Sequence, residues 1–188
     1  MVASCEWVDV GSGLKAYYGK PDGAGPHPCL VVYIEAFGVN DHFKKLTRRL
    51  ADEGFATITP DIYGGDTYSY EDLGNAIGKL KTMNDDTVIQ QTEQCLDWLS
   101  DQSEADDKRS GVMGFCMGGR FTFLANAELA EKFKGASSFY GGGIGPIEDG
   151  AGRKVLLDRV AEMGAPILFW YGSDDDSIQP DELGRIAQ

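Results

Sequence analysis

The chain has 188 residues, with 17 Lys+Arg against 30 Asp+Glu, giving a formal net charge of −13 and a pI near 4.4. A chain this acidic offers nothing to a phosphate backbone or an anionic bilayer, which argues against nucleic-acid and membrane partners. With 42% hydrophobic and 25% charged residues it reads as an ordinary globular chain, one domain over residues 1–188, large enough to bury a core without staples.

The longest apolar runs, residues 29–34 and 166–171, are far too short for a membrane-spanning helix. The N-terminus shows no basic region followed by an apolar stretch. Four cysteines without paired short spacings fit neither a disulfide framework nor a zinc site. A reducing, cytoplasmic compartment is therefore expected, with no metal and no cofactor.

In chain order, residues 6–10 and 14–18 flank Gly11-Ser12-Gly13 and predict an opening hairpin. The continuous apolar run 29–34 predicts a central strand buried on both faces. Asn40 can cap a helix running to Asp52, with Phe43, Leu46 and Leu50 on one stripe, and Gly54 ends it before a strand at 55–59. Asp85 or Asp86 can cap a helix to Leu99 that turns Val88, Cys95, Leu96 and Leu99 inward. A strand at 110–115, a helix from Met117, strands at 136–140 and 166–171, a helix at about 152–163 between them, and a helix beginning at Asp181 complete the pattern. Alternating strands and helices imply a doubly wound, mostly parallel sheet with helices on both faces. The glycine run 141–145 lacks the Lys-Ser/Thr pair of a phosphate loop and reads as a pocket-side loop.

The segment Gly114-Phe115-Cys116-Met117-Gly118 carries the chemistry. It is a G-x-S-x-G nucleophile elbow with cysteine in the serine position, placed between a strand and a helix as that motif requires. The turn leaves no room for side chains at 114 and 118. It exposes the Cys116 thiol at the positive end of the next helix, which favours thiolate, and the Met117 amide faces a developing oxyanion. Glu35 ends the central apolar strand, where a carboxylate is out of place without a task. In a doubly wound sheet both residues reach the crevice at the strand C-termini.

Together with Glu35-Ala36-Phe37-Gly38, Pro60-Asp61-Ile62-Tyr63, Tyr140-Gly141 and Tyr171-Gly172-Ser173-Asp174-Asp175, this elbow resembles the dienelactone hydrolase family of α/β-hydrolases. The resemblance covers essentially the whole chain. It implies a cysteine hydrolase of small esters or lactones. Cys116 would be the nucleophile, Glu35 the group that helps to generate thiolate, and the amides of Ala36 and Met117 the oxyanion hole. Phe37, Tyr63 and Tyr140 would line the substrate pocket. The triad acid should follow the penultimate strand, where Asp174, Asp175 and Asp176 all stand. Asp175 is favoured because the family pattern places the acid three residues after glycine (Gly172) and three before an aliphatic residue (Ile178).

The triad histidine is absent. His27 and His42 both precede the elbow, against the family's chain order. Residues 176–188 are too few for the closing helix, strand and histidine loop, so a domain without its last strand and helix is expected, poorly stable or self-associating at the open edge. The segment 71–83, expected to cover the pocket, holds Lys79 and Lys81 but no arginine to grip a carboxylate. The alternative is a non-enzymatic ligand-binding or redox-responsive thiol protein on the same scaffold.

Overall fold

A computed structural model describes residues 3–145 and 154–188. Seven strands form one sheet: β1 Ser4–Asp9, β2 Lys15–Lys20, β3 His27–Tyr33, β4 Ala56–Pro60, β5 Ala105–Phe115, β6 Phe133–Phe139 and β7 Ile167–Trp170. Their spatial order is β1-β2-β4-β3-β5-β6-β7. The hairpin β1–β2 is antiparallel and β2 joins β4 antiparallel, whereas β3, β4, β5, β6 and β7 run parallel. The expected α/β architecture is present.

β3 occupies the middle of the sheet because its residues tolerate apolar cover above and below. Val31, Val32, Tyr33 and Ile34 are each 0% exposed. β4 lies on one side of β3 and β5 on the other. Right-handed crossovers therefore throw α1 (Asp41–Asp52) and α3 (Asp85–Ser100) onto opposite faces. α1 packs so closely on β2 that a Cβ at Gly19 would come within 3.0 Å of the Ala51 side chain. α4 (Met117–Glu128) joins α3 and leans on β5 and β6. No helix among the described residues is long and apolar enough to cross a membrane.

Asn40 caps α1 as anticipated, its side chain accepting from the amides of His42 and Phe43. Asn84, not Asp85 or Asp86, caps α3 through the Thr87 amide. Asp85 has another use, a buried ion pair with Arg120. α2 (Leu73–Leu80) was not expected, because Gly74 and Gly78 weaken the helical pattern and Leu73 and Ile77 remain exposed. The helix expected over 152–163 is only a 3-10 turn at Leu157–Glu162, and its predicted start at Gly152 lies outside the described residues. The last helix, α5 Pro180–Ile186, begins one residue earlier than expected because Pro180 suits the first helical position.

Candidate active site

Strand register brings the predicted residues together. Tyr33 of β3 pairs with Gly114 of β5, so Glu35 and Cys116, each two residues further on, emerge side by side at the C-terminal rim. Phe115 pairs with Phe139 of β6, which places Tyr140 beside them, and Phe139 pairs with Trp170 of β7, which leads into the 171–176 loop.

The elbow is sterically specified. Cys116 has φ +53° and ψ −119°, a conformation that costs an L-residue of order 1–3 kcal/mol and persists only where the surroundings enforce it. A Cβ at Gly114 would fall onto the Gly118 carbonyl. One at Gly118 would sit 2.6 Å from the Ile34 carbonyl oxygen and 2.7 Å from that of Tyr33. Gly119 lies as tightly against Gly141, Ser138 and Phe139, which explains why the glycine run after β6 starts where the elbow helix packs. The turn is tied down by Cys116 N–H to the Phe139 carbonyl (3.0 Å) and Gly119 N–H to the Cys116 carbonyl (2.9 Å).

The thiol is half-buried, and its pKa lies above the ordinary cysteine value. Burial is the main cause; Glu35 and Asp175 add to it, and the Met117 amide, which bonds the sulfur, opposes them. Thiolate is thus not favoured at rest, contrary to the expectation from the helix terminus. One backbone dipole is outweighed by desolvation and two carboxylates.

Glu35 accepts a hydrogen bond from the Tyr70 phenol at 2.9 Å. The Tyr70 ring meets Phe37 edge-to-face, with centroids 4.6 Å apart. Gly38, at φ +79°, lets the 66–70 segment lie directly on this turn, since a Cβ there would strike the Asp66 carbonyl. Nothing in the sequence around Tyr70 singled it out; its role depends on that loop folding back. Tyr140 sits at φ +40°, and its phenol is pushed up to about 12 by burial, then by Glu35 and by the Cys116 and Tyr70 groups. Tyr63 is only 2% exposed and donates to the Met117 sulfur at 3.6 Å, in contact with the elbow. Ala36 is buried next to Glu35.

Of the three consecutive aspartates, Asp175 is the one whose charge reaches Cys116. It is half-buried, whereas Asp174 and Asp176 are exposed. Its carboxylate accepts from the Ser177 amide (2.9 Å) and hydroxyl, which hold its pKa below the usual carboxylate value.

The histidines are not at the thiol. His27 opens β3, at the end of the sheet opposite Glu35, and its buried Nε2 has no partner among the described residues. His42 is exposed on the first turn of α1, beside a cleft of about 460 Å³ that also touches Tyr68, Tyr70 and Glu71. A larger cleft of about 590 Å³, lined by Lys15, Asp61, Gln90, Gln91 and Gln94, shares only Tyr63 with the site.

Arg120 lies behind the elbow, 1% exposed, and holds Asp85 through two bonds of 2.7 and 3.0 Å. Its third bond is to the Lys154 carbonyl at 2.9 Å. The pair fixes α4 against α3.

A family model described as "Dienelactone hydrolase family" matches residues 14–188. Among curated proteins, the "Putative carboxymethylenebutenolidase" of Yersinia pestis is 32% identical over 188 residues, covering 95% of this chain and 67% of its own length. The protein of the same name in Escherichia coli (strain K12) is 32% identical over 182 residues, covering 95% of this chain and 66% of its own length. The chain thus spans about two thirds of these relatives. Among solved structures, a "Putative Dienelactone Hydrolase" from Klebsiella pneumoniae subsp. pneumoniae MGH 78578 superposes with a TM-score of 0.89 at 30% identity, covering 100% of this chain and 80% of that one.

Proposed function

Because the chain belongs to the dienelactone hydrolase family, we propose that it is a hydrolase that opens small esters or lactones through a thiol acyl-enzyme on Cys116. The observation that supports this most is the elbow itself, a strained cysteine that register sets level with Glu35. In this reading Glu35 takes the thiol proton once substrate loosens it from Tyr70. The sulfur attacks the carbonyl carbon, and the amides of Met117 and Ala36 receive the oxyanion. Collapse expels the alkoxide, which takes the proton back, and leaves a thioester. Phe37 and Tyr140 flank the substrate.

Asp175 is the proposed triad acid, and its task is to orient a base for the hydrolytic step. Neither His27 nor His42 is placed to be that base, so residues 1–188 acylate faster than they deacylate. The protein works as a small-molecule enzyme in the cytoplasm, consistent with four free cysteines. p-Nitrophenyl acetate tests this directly. We expect one p-nitrophenolate released per chain in a fast phase, followed by slow turnover, and no fast phase in Cys116→Ser. Residues 1–188 without that phase would refute the acyl-enzyme.

A further inference from the structure

The cleft of about 590 Å³ stands apart from the thiol, and its size lies within the ~300–1,000 Å³ range of small-molecule sites. It opens beyond the C-terminal end of β4, between the β1–β2 turn, the 61–65 turn and α3. Each of these three walls is tied down. In the first turn Leu14 N–H donates to the Gly11 carbonyl and Val10 N–H to the Leu14 carbonyl, both at 3.0 Å. Asp61 N–H donates to the Lys15 carbonyl at 2.9 Å and so joins that turn to the second. The Asp61 carboxylate, only 6% exposed, accepts from the amides of Tyr63, Gly64 and Gly65 and sets the shape of the second turn. α3 is fastened to α4 by the Asp85–Arg120 pair. A molecule entering here meets walls already in place and does not have to order them.

The chemistry of the lining narrows what that molecule is. Leu14, Ile62 and Tyr63 are buried and give the cleft an apolar floor, while Gln91 and Gln94 of α3 give it carboxamides. Its charged lining residues, Lys15 and Asp61, are one of each sign, so neither an anion nor a cation gains from the pair. Two acceptors have capacity left. Gln91 Oε1 is buried and has no hydrogen-bond partner among the described residues. An ionised carboxylate takes about four hydrogen bonds, and the three turn amides leave Asp61 room for one more. A buried acceptor left unmet costs free energy, so the cleft favours a ligand that donates. Hydroxyl groups suit it best, because each also accepts, which the Lys15 ammonium and the carboxamide N–H groups require.

We propose that this cleft binds a neutral cyclic polyol of about pyranoside size, with the C–H face of its ring on Leu14 and Ile62 and neighbouring hydroxyls on Gln91, Gln94 and Asp61. The proposal stands whether or not Cys116 acylates, since the cleft shares only Tyr63 with the thiol site.

Nitrogen-15 NMR spectra of residues 1–188 test it, with methyl β-D-glucopyranoside as the probe. We expect saturable shifts in the side-chain amide signals of Gln91 and Gln94 and in the backbone signals of 61–65. At the efficiency usual for drug-sized ligands, a probe of about 13 non-hydrogen atoms should bind with a Kd on the order of 1 mM. The corresponding glucuronide and glucosaminide keep the ring and add a negative or a positive charge, and neither should bind more tightly. Gln91→Leu should weaken binding roughly five-fold, the worth of one hydrogen bond, while the dispersion of the remaining signals shows that the variant is folded. Should Gln91→Leu fail to fold, Gln94→Leu carries the same comparison. Shifts that stay linear in probe concentration overturn the proposal, as does unchanged binding in a folded variant. A charged analogue that binds ten-fold tighter than the neutral probe also overturns it.

Discussion

The two sides of the candidate site are built in opposite ways. At the C-terminal ends of β3 and β5, backbone meets backbone: Gly114, Gly118 and Gly119 each leave no room for a methyl group, and the Arg120–Asp85 pair is sealed behind them. On the far side, beyond β7, the loop with Asp175 is held by its own Ser177, and Trp170 and Leu168 are 52% and 62% exposed. One side is fixed by the whole fold. Among the described residues, the other is held by its nearest neighbours.

Substitutions can break that contrast. The largest loss is expected behind the elbow, where Asp85→Ala leaves Arg120 charged and buried without its partner. That should cost about 3–5 kcal/mol in urea or guanidinium unfolding. Gly118→Ala comes next, at about 3 kcal/mol, because the carbonyls of Tyr33 and Ile34 that it strikes belong to the central strand and cannot yield. On the other side, Asp175→Ala should change stability by no more than about 0.5 kcal/mol. An equal loss at positions 118 and 175 would show that the two sides are not built differently.

Titration sharpens the comparison. Cys116 should react with iodoacetamide along a pH curve whose midpoint lies above the ~8.5 of an ordinary cysteine. Glu35→Gln and Asp175→Asn should each move it down, since removing a negative neighbour favours thiolate. The smallest effect belongs to Ser177→Ala. Asp175 has a lowered folded-state pKa, so the stability it lends is complete above its unfolded value near ~3.9 and is lost as pH falls through the folded value. Ser177→Ala removes the hydroxyl bond but keeps the amide bond, so an NMR titration of the Asp175 carboxyl should find its pKa raised part of the way towards the ordinary value.

The same contrast explains what could be read from the amino-acid order. The elbow, Glu35 and the central strand were legible because short-range sterics and an unbroken apolar run constrain residues that are close in sequence. Asp175 could be chosen among its neighbours only by offset from Gly172 and Ile178, since three consecutive aspartates carry no local signal that separates them. Tyr70 was invisible, because its hydrogen bond joins residues 35 apart through a loop that only the fold brings back. The α3 cap was misassigned for a related reason: Asp85 serves Arg120, 35 residues away, which left capping to Asn84. The raised thiol pKa could not be inferred from a helix terminus, since burial and the second carboxylate are tertiary facts.

The elbow also separates what selection can change from what it must keep. Within the five residues 114–118, the flanking glycines are dictated by neighbouring backbone, whereas the residue at 116 is only half-buried. The strain of its positive φ falls on the main chain, so serine would inherit the same geometry as cysteine. A lineage could therefore exchange cysteine for serine at this position by a single codon change while the architecture stays untouched, which makes the side chain of this elbow easier to alter than its shape.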